Sequence, residues 1–517
     1  MTAVRNPANN QDDVAYSTYS YRYRIGTAEQ NRLADSIAID ELGLNGFTLM
    51  ETAGLQTAME LGYRLSAGST GIYLCGKGNN GGDGLVVARY LALRENHICH
   101  IFFPGGTDSL SDETEQNLKI LKVLSNEMSN LHLHKTGIEK WPADESFDYI
   151  VDAMLGTGLN STLREPFSSA VKWANGRPEL TCSMDIPTGL NADSGQVMGS
   201  TVKADLTLTF GMLKTGFFFP PGPEFCGEIV LIPLSFPDNR LQSTASLLAP
   251  EQLDGLPGLM RRAEHKYSGG VTWIIAGSEG LTGAANLAAR SAWATGAGAV
   301  ILVTPRGLLP LYEQSLPQII KKGIGKSDER GFHTGHVSEI LQLLKVRQGS
   351  LLIGPGLGKG CEEWVSEVLM HFTGRVVIDA DAIRALENAK RPQGSEWVVT
   401  PHPGELERWV GKSADDGLER MTIVRKIAEK RKIWVLSKGY PTILASPDGE
   451  IQMTGYDTRV FARAGFGDVL AGGISGYLCF SNEISTAIIR CLLEGASKVA
   501  RHLEQNPGSP PEPKTLL

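Results

Sequence analysis

Two glycine-rich loops carry the residues best placed to do chemistry. The first, Gly76-Lys77-Gly78-Asn79-Asn80-Gly81-Gly82-Asp83-Gly84, follows the apolar run Ile72-Tyr73-Leu74-Cys75 and precedes the helical Leu85-Val86-Val87-Ala88-Arg89. Gly76, Gly78 and Gly81 spell G-x-G-x-x-G between strand and helix, where free backbone N–H groups grip phosphate. The next apolar run ends Ile101-Phe102-Phe103-Pro104, with no acidic residue to hold a ribose, which speaks against an ordinary dehydrogenase. A tight turn alone would explain the glycines but not two adjacent Asn and an Asp. Two later runs end in acidic residues ahead of glycine turns: Val151-Asp152-Ala153-Met154-Leu155-Gly156-Thr157-Gly158 and Met184-Asp185-Ile186-Pro187-Thr188-Gly189-Leu190. Ligands of parallel α/β sheets bind at the carboxyl ends of strands, so these carboxylates could converge with Asn80 into a hard-oxygen cation site. Either Asp alone would serve equally as a turn or cap residue.

The second loop is Gly465-Phe466-Gly467-Asp468, directly before the helical Val469-Leu470-Ala471-Gly472-Gly473. Free N–H groups at a helix start, with glycines that let phosphate approach, make an anion hole. Asp468 beside it could take the proton of an alcohol as phosphate is transferred to that oxygen, or could be an N-cap only. A P-loop is excluded: Gly325-Lys326-Ser327 offers the tail of a Walker motif, but position 320 is Ile. His333 and His336 form an H-x-x-H with no further ligand evident, and read as loop histidines.

Alternating strands and helices must position these loops. Strands are expected at 71–75, 98–103, 149–154, 181–184 and 206–210, then at 271–275, 300–303, 351–353, 376–378, 397–399 and 433–436. Thr27-Ala28-Glu29-Gln30 fits a capping box for the first helix and Gly43 fits its stop. This is an α/β pattern in two series, with a break near 235–268 and Pro250 to Arg262 as connector. The expected limits are a flexible tail over 1–20, domains over 21–240 and 250–505, and a disordered tail over 506–517. The 517 residues suffice for two such domains. A balance of 49 basic against 57 acidic residues, net -8, excludes nucleic acid as the main partner. Seven cysteines without a CxxC pair suit free thiols in a reducing compartment, and no apolar run suggests a signal peptide or membrane span. A cytoplasmic location follows.

Asn79-Asn80-Gly81-Gly82-Asp83-Gly84-Leu85, with Leu49-Met50-Glu51-x-Ala53-Gly54 upstream and Asp185-Ile186-Pro187-Thr188-Gly189 downstream, closely resembles the NAD(P)HX epimerase family over about residues 21–235. The resemblance implies a Rossmann-like three-layer domain that binds hydrated nicotinamide cofactor. Asn79, Asn80, Gly81, Gly82 and Asp83 would contact it, as would Gly156, Thr157, Gly158, Leu159, Asn160, Ser161 and Thr162, and Asp185. It further implies a potassium ion on Asn80, Asp152 and Thr188, where the family usually has Ser at the last position, and makes Asp185 the acid/base candidate.

Asp379-Ala380-Asp381-Ala382, Thr400-Pro401-His402-Pro403-Gly404-Glu405, Ser437-Lys438-Gly439 and the Asp468 loop, in this order, resemble the ADP- or ATP-dependent NAD(P)HX dehydratases, over about residues 255–503. A ribokinase-like three-layer fold is implied, with substrate contacts from Ala284, Gly356, His402 and Asp468 and with Asp468 catalytic. Nucleotide contacts would come from Lys438, Gly439, Tyr440, Pro441, Thr442 and Gly467, with magnesium accompanying ADP or ATP. Two departures stand out: Phe466 replaces a Ser or Thr, and Gly455 to Phe461 lacks a Gly-Asn-Pro-Gly stretch. The resemblances together imply a bifunctional isomerase and lyase that repairs NADHX and NADPHX as a homo-oligomer, without nucleic acid or membrane. A ribokinase-like small-molecule kinase, or a second half that binds nucleotide without turnover, are the alternatives.

Overall fold

A computed structural model describes residues 4–5, 23–135, 137–142, 145–234, 236, 238–256 and 269–517. Nearly all of the expected tail over 1–20, and the connector beyond 256, lie outside the described residues. The chain divides into two compact units, residues 1–247 with 416–418, and residues 248–415 with 419–517.

The first unit is built on an all-parallel sheet. Its spatial order is Val4–Arg5, Glu228–Ile232, Leu206–Phe210, Leu180–Met184, Tyr149–Ala153, Thr70–Cys75, Ile98–Phe102 and Leu131–Leu133. Thr70–Cys75 is flanked by Ile98–Phe102 on one side and Tyr149–Ala153 on the other, so the strand order reverses beside it. A reversal of this kind opens a crevice at the carboxyl ends of the two diverging strands, which here lead into the Asn80 loop and the Asp152 turn. Buried on both faces, these strands are apolar runs rather than alternating ones, as Tyr73, Val151 and Leu208 illustrate.

Helix 79–94 starts at the glycine loop and packs on helix 46–64. Gly54 permits this approach: a Cβ there would meet Val86 Cγ1 at 2.4 Å. Glu51 of the same helix is ion-paired with Arg89. The expected capping box is present, with Thr27 Oγ1 accepting from the Gln30 N–H at 3.2 Å and Gln30 Oε1 from the Thr27 N–H at 3.0 Å.

Seven parallel strands form the second sheet, in the order Ile320–Ile324, Ala299–Pro305, Val271–Ile275, Ser350–Ile353, Arg375–Ile378, Glu396–Val399 and Trp434–Ser437. The antiparallel Ile443–Ala445 and Ile451–Thr454 extend it. Helices 282–294, 466–478 and 484–505 cover one face, with Ala288, Ile474 and Leu493 fully buried in its core.

The stretch after 506 corrects the expected disorder. Pro513–Leu516 form a 3-10 turn, Lys498 Nζ donates to the Leu516 carbonyl at 2.6 Å, and Arg463 Nη1 donates to the Pro511 carbonyl at 3.0 Å. The prolines suggested a free tail, but tertiary hydrogen bonds tie their carbonyls down. Among the described residues no helix is long and apolar enough to cross a membrane, and all seven cysteines are free thiols.

Candidate functional site

In the first unit the site grows from strand ends. Gly76 and Gly81 let the loop fold on itself, since a Cβ on Gly76 would meet the Met154 carbonyl at 1.7 Å and one on Gly81 the Gly76 carbonyl at 2.0 Å. Asn79 then opens the helix, with Asn80 to Asp83 in its first turns. Asn80 is 8% exposed, yet neither its Oδ1 nor its Nδ2 has a hydrogen-bond partner. A buried amide left so costs about 1–3 kcal/mol, and both of its polar atoms are free to take a ligand.

Asp185 follows Leu180–Met184 in a left-handed backbone conformation, φ +62°, that non-glycine residues rarely take. One of its oxygens is committed: Oδ1 receives Lys214 Nζ at 2.5 Å and the Phe210 N–H at 3.3 Å. Its Oδ2 stands 3.7 Å from the point where a Cβ on Gly156 would sit, and Asn80 Cβ is 3.5 Å from that point. Asn80, Gly156 and Asp185 therefore converge, as the sequence predicts. The rest of that loop, Thr157 to Thr162, is half-buried or exposed, with Thr162 against Gly199.

Lys214 was not among the expected site residues. It is 1% exposed, and its Nζ also donates to Thr209 Oγ1 at 2.8 Å and the Phe210 carbonyl at 3.0 Å. A lysine inside the apolar run Met212-Leu213-Lys214 was the signal that could have revealed it, because buried lysines need partners. Burial pushes the Asp83 carboxyl well above its ordinary range, and the charges of Asp185 and Asp35 add to that.

Asp152 is fully buried and accepts from Thr188 Oγ1 at 2.7 Å, the Thr188 N–H at 2.8 Å and Ser183 Oγ at 2.9 Å. Burial raises its pKa, and these hydrogen bonds act against the rise. No cationic side chain pairs with it among the described residues. Thr188 Oγ1 also accepts from the Leu155 N–H at 2.9 Å, which ties the pair to the residue before Gly156. Two of the three expected cation ligands thus touch, and Asn80 lies across Gly156 from them.

In the second unit a cavity of about 560 Å³ gathers His402, Lys438, Gly439, Tyr440, Thr442, Gly467 and Asp468. Lys438 follows Trp434–Ser437, and its Nζ is 2.8 Å from Asp379 Oδ1, which also accepts from Thr400 Oγ1 at 2.6 Å. Burial works against the Lys438 ammonium, but the Asp379 and Glu405 carboxylates outweigh it and raise its pKa. Its Nζ is 3.4 Å from a Cβ placed on Gly467, so ammonium and helix mouth adjoin.

The N–H groups of Gly467 and Asp468 lie in the first turn of helix 466–478 and have no acceptor within it. The Asp468 carboxyl is pushed up to about 7, chiefly by burial and next by the Asp379 charge. His402 is the N-cap of helix 403–410: its Nδ1 accepts from the Gly404 N–H at 3.1 Å, and its N–H donates to Glu405 Oε2 at 2.8 Å. Half exposed, it nonetheless lines the cavity. Ala284 and Gly356 do not line it. They meet each other, a Cβ on Gly356 lying 3.2 Å from Ala284 Cβ. Pro441 likewise contributes only its carbonyl, which accepts from buried Arg420. Arg420 is a second residue sequence reasoning missed: its Nη1 also donates to the Lys438 carbonyl at 3.3 Å, bracing the loop between Lys438 and Pro441.

Phe466 does not project as an open replacement for a hydroxyl. It is 3% exposed and packs edge-on against Phe461, ring centroids 5.5 Å apart, which in turn meets Tyr456 at 6.5 Å. The two departures from the family pattern therefore fit each other. We expect Phe466→Ser to lower stability by roughly 3 kcal/mol or more, as for other buried aromatic truncations. Thermal or urea unfolding monitored by tryptophan fluorescence checks this.

The H-x-x-H also differs from its expectation, because Glu329 joins it. Glu329 Oε2 is 2.9 Å from His336 Nε2, and Oε1 is 3.5 Å from His333 Nε2. Each ring's Nδ1 accepts a backbone N–H, from Gly335 to His333 and from His333 to His336. That leaves the Nε2–H tautomers to donate to the carboxylate, the opposite of the tautomer a metal needs.

A family model described as YjeF-related protein N-terminus matches residues 46–216, and one described as NAD(P)H-hydrate dehydratase matches residues 272–515. The Bifunctional NAD(P)H-hydrate repair enzyme Nnr of Salinibacter ruber is 31% identical, covering 95% of this chain and 93% of its own. That of Archaeoglobus fulgidus is also 31% identical, over 88% of this chain and 89% of its own. Among solved structures, an ADP/ATP-dependent NAD(P)H-hydrate dehydratase from Bacillus subtilis, co-crystallised with ATP/Mg2+, is 23% identical with a TM-score of 0.43, covering 52% of this chain and 94% of that one. With its Rossmann-like first unit and ribokinase-like second unit, the chain belongs to the family of bifunctional NAD(P)H-hydrate repair enzymes.

Proposed function

We infer that the chain epimerises R- and S-NAD(P)HX in its first unit and dehydrates the S epimer to NAD(P)H in its second, at the expense of ADP or ATP. The observation that carries this reading is Asp468, a carboxyl near neutrality at the mouth of a helix, beside Lys438 and in a cavity of nucleotide size. In the second site Asp468 takes the proton of the substrate hydroxyl as that oxygen accepts phosphate. Helix N–H groups and Lys438 hold the negative charge; phosphate then leaves with the electrons of the C–O bond, and the adjacent ring carbon gives up a proton to solvent as the double bond returns. Magnesium with the nucleotide would offset the crowd of Asp379, Asp381 and Glu405 charges that helps raise the Asp468 pKa.

In the first site the hydroxyl leaves and returns on either face of its carbon, so a proton must be supplied and removed. Asp185 presents Oδ2 while Lys214 holds Oδ1, and Asp83 is a carboxyl kept protonated to higher pH by burial. We assign proton transfer to Asp185 through its open Oδ2, with the protonated Asp83 carboxyl as a nearby donor. We assign these catalytic bodies to residues 21–240 and to a second body that begins near 250 and runs past 505 through the hydrogen-bonded stretch that ends the unit. A cytoplasmic location completes the reading, supported by the seven free thiols, and we further propose a homo-oligomer.

Potassium fits the first site. Asp152 is a buried carboxylate without a cationic partner among the described residues, Thr188 adds an oxygen, and Asn80 has an unsatisfied buried amide. When bound, the ion would balance Asp152 and satisfy Asn80. Raising KCl, with choline chloride as control, should raise the thermal midpoint and speed epimer exchange, and Asp152→Ala should remove both responses. Equal responses to the two salts would refute the site.

A further inference from the structure

Four cationic side chains line the cavity of the second unit: Lys438, Arg459, Arg463 and Lys498. Two are neutralised by carboxylates. Lys438 pairs with Asp379, and Arg459 forks Asp457 with Nε 3.0 Å from Oδ1 and Nη2 2.8 Å from Oδ2. Among the described residues, Lys498 and Arg463 hydrogen-bond to carbonyl oxygens and form no ion pair. Lys498 is held against Leu516, whereas Arg463 stands two residues ahead of Gly465, at the approach to the helix mouth. One nitrogen of Arg463, Nη1, donates to the Pro511 carbonyl at 3.0 Å; the neighbouring Glu512 carboxylate feels its charge but is ion-paired with Lys514 at 2.8 Å, and among the described residues no carboxylate lies within ion-pair distance of Arg463. The side chain is exposed, and its other N–H donors are available.

Charge and position together suggest an anionic partner. A guanidinium offers a planar fork that matches two phosphate oxygens. The helix mouth presents the N–H groups of Gly467 and Asp468, and Lys438 flanks Gly467. The side chain at 466 gives no hydroxyl, since its ring is buried against Phe461. We propose that Arg463 binds the outer phosphates of a nucleoside di- or triphosphate, supplying the contact that a hydroxyl at 466 would have made. This rests on the dehydratase reading of the second unit and adds to it a phosphate-recognition residue outside the glycine loop.

The full-length protein should be titrated with ADP, ATP and AMP by calorimetry, as native chain, Arg463→Gln and Arg463→Lys. AMP is the control for a loosened terminus, because release of the Pro511 stretch would weaken all three nucleotides alike. Arg463→Gln should weaken ADP and ATP roughly 10- to 100-fold, the worth of a hydrogen bond to a charged group, and weaken AMP far less. Arg463→Lys should recover part of the loss. Unchanged ADP and ATP affinity in Arg463→Gln, or an equal loss for AMP, would overturn the proposal while leaving the dehydratase reading intact. Failure of the native chain to bind either ADP or ATP would overturn both.

Discussion

Asp468→Asn should abolish nucleotide-driven dehydration while ADP and ATP still bind. The asparagine keeps the shape of the helix mouth but cannot take the hydroxyl proton, and general-base help of this kind is worth about 10²–10⁴-fold before phosphate transfer is considered. The native enzyme should show a matching pH profile. Because the Asp468 carboxyl is raised to about 7, its basic form is scarce at pH 6, so turnover should climb through neutrality and level off above it. Stability should change in the opposite sense. A carboxyl whose pKa is raised on folding gives stability that is full below its unfolded value and lost as pH rises through the folded one. Asp468→Asn should therefore melt later than the native chain at pH 8, with the gap closing towards pH 4. Turnover retained in Asp468→Asn would remove this residue from the base role.

The second large effect concerns the buried pair in the first unit. Asp185→Asn should slow epimer exchange by about 10²–10⁴-fold and leave dehydration of the S epimer untouched, since Asp468 lies in the other unit. It also strands Lys214, 1% exposed, without its carboxylate. Breaking one side of a buried pair costs about 3–5 kcal/mol, so this variant should melt early. Lys214→Met alone should likewise cost stability and should slow exchange, by leaving Asp185 Oδ1 without its main donor. The double variant Asp185→Asn with Lys214→Met should regain much of the stability and none of the exchange. Stability and chemistry are thereby separated, and exchange at the native rate in the folded double variant would contradict the assignment.

The strands that support both sites were legible in the sequence because they are buried on both faces and read as unbroken apolar runs. Leu206–Phe210 and Val271–Ile275 stand where expected to the residue. Ile320–Ile324 was not legible: it lies at the sheet edge, and Lys321 and Lys322 interrupt its apolar pattern. Leu131–Leu133, also an edge strand, is too short to leave a signature. The site showed the same division. Asn80, Gly156 and Asp185 belong to loops with dense local motifs, so their convergence followed from topology. Lys214 holds Asp185, and Arg420 the loop after Ser437, from positions 29 and 18 residues away from their partners, in contacts no local pattern encodes. Phe466 was read as a lost hydroxyl because its companion Phe461 is recognisable only once the turn between them is folded.

Incubating the full-length protein with R-NADHX, with and without ADP or ATP, and following NADH by absorbance tests the central claim most directly. Native protein should convert the R epimer to NADH only when nucleotide is present, and Asp185→Asn should convert S-NADHX normally but stall on R. Conversion of the R epimer by Asp185→Asn at the native rate, or NADH formation without nucleotide, would contradict a two-site account in which epimerisation feeds dehydration.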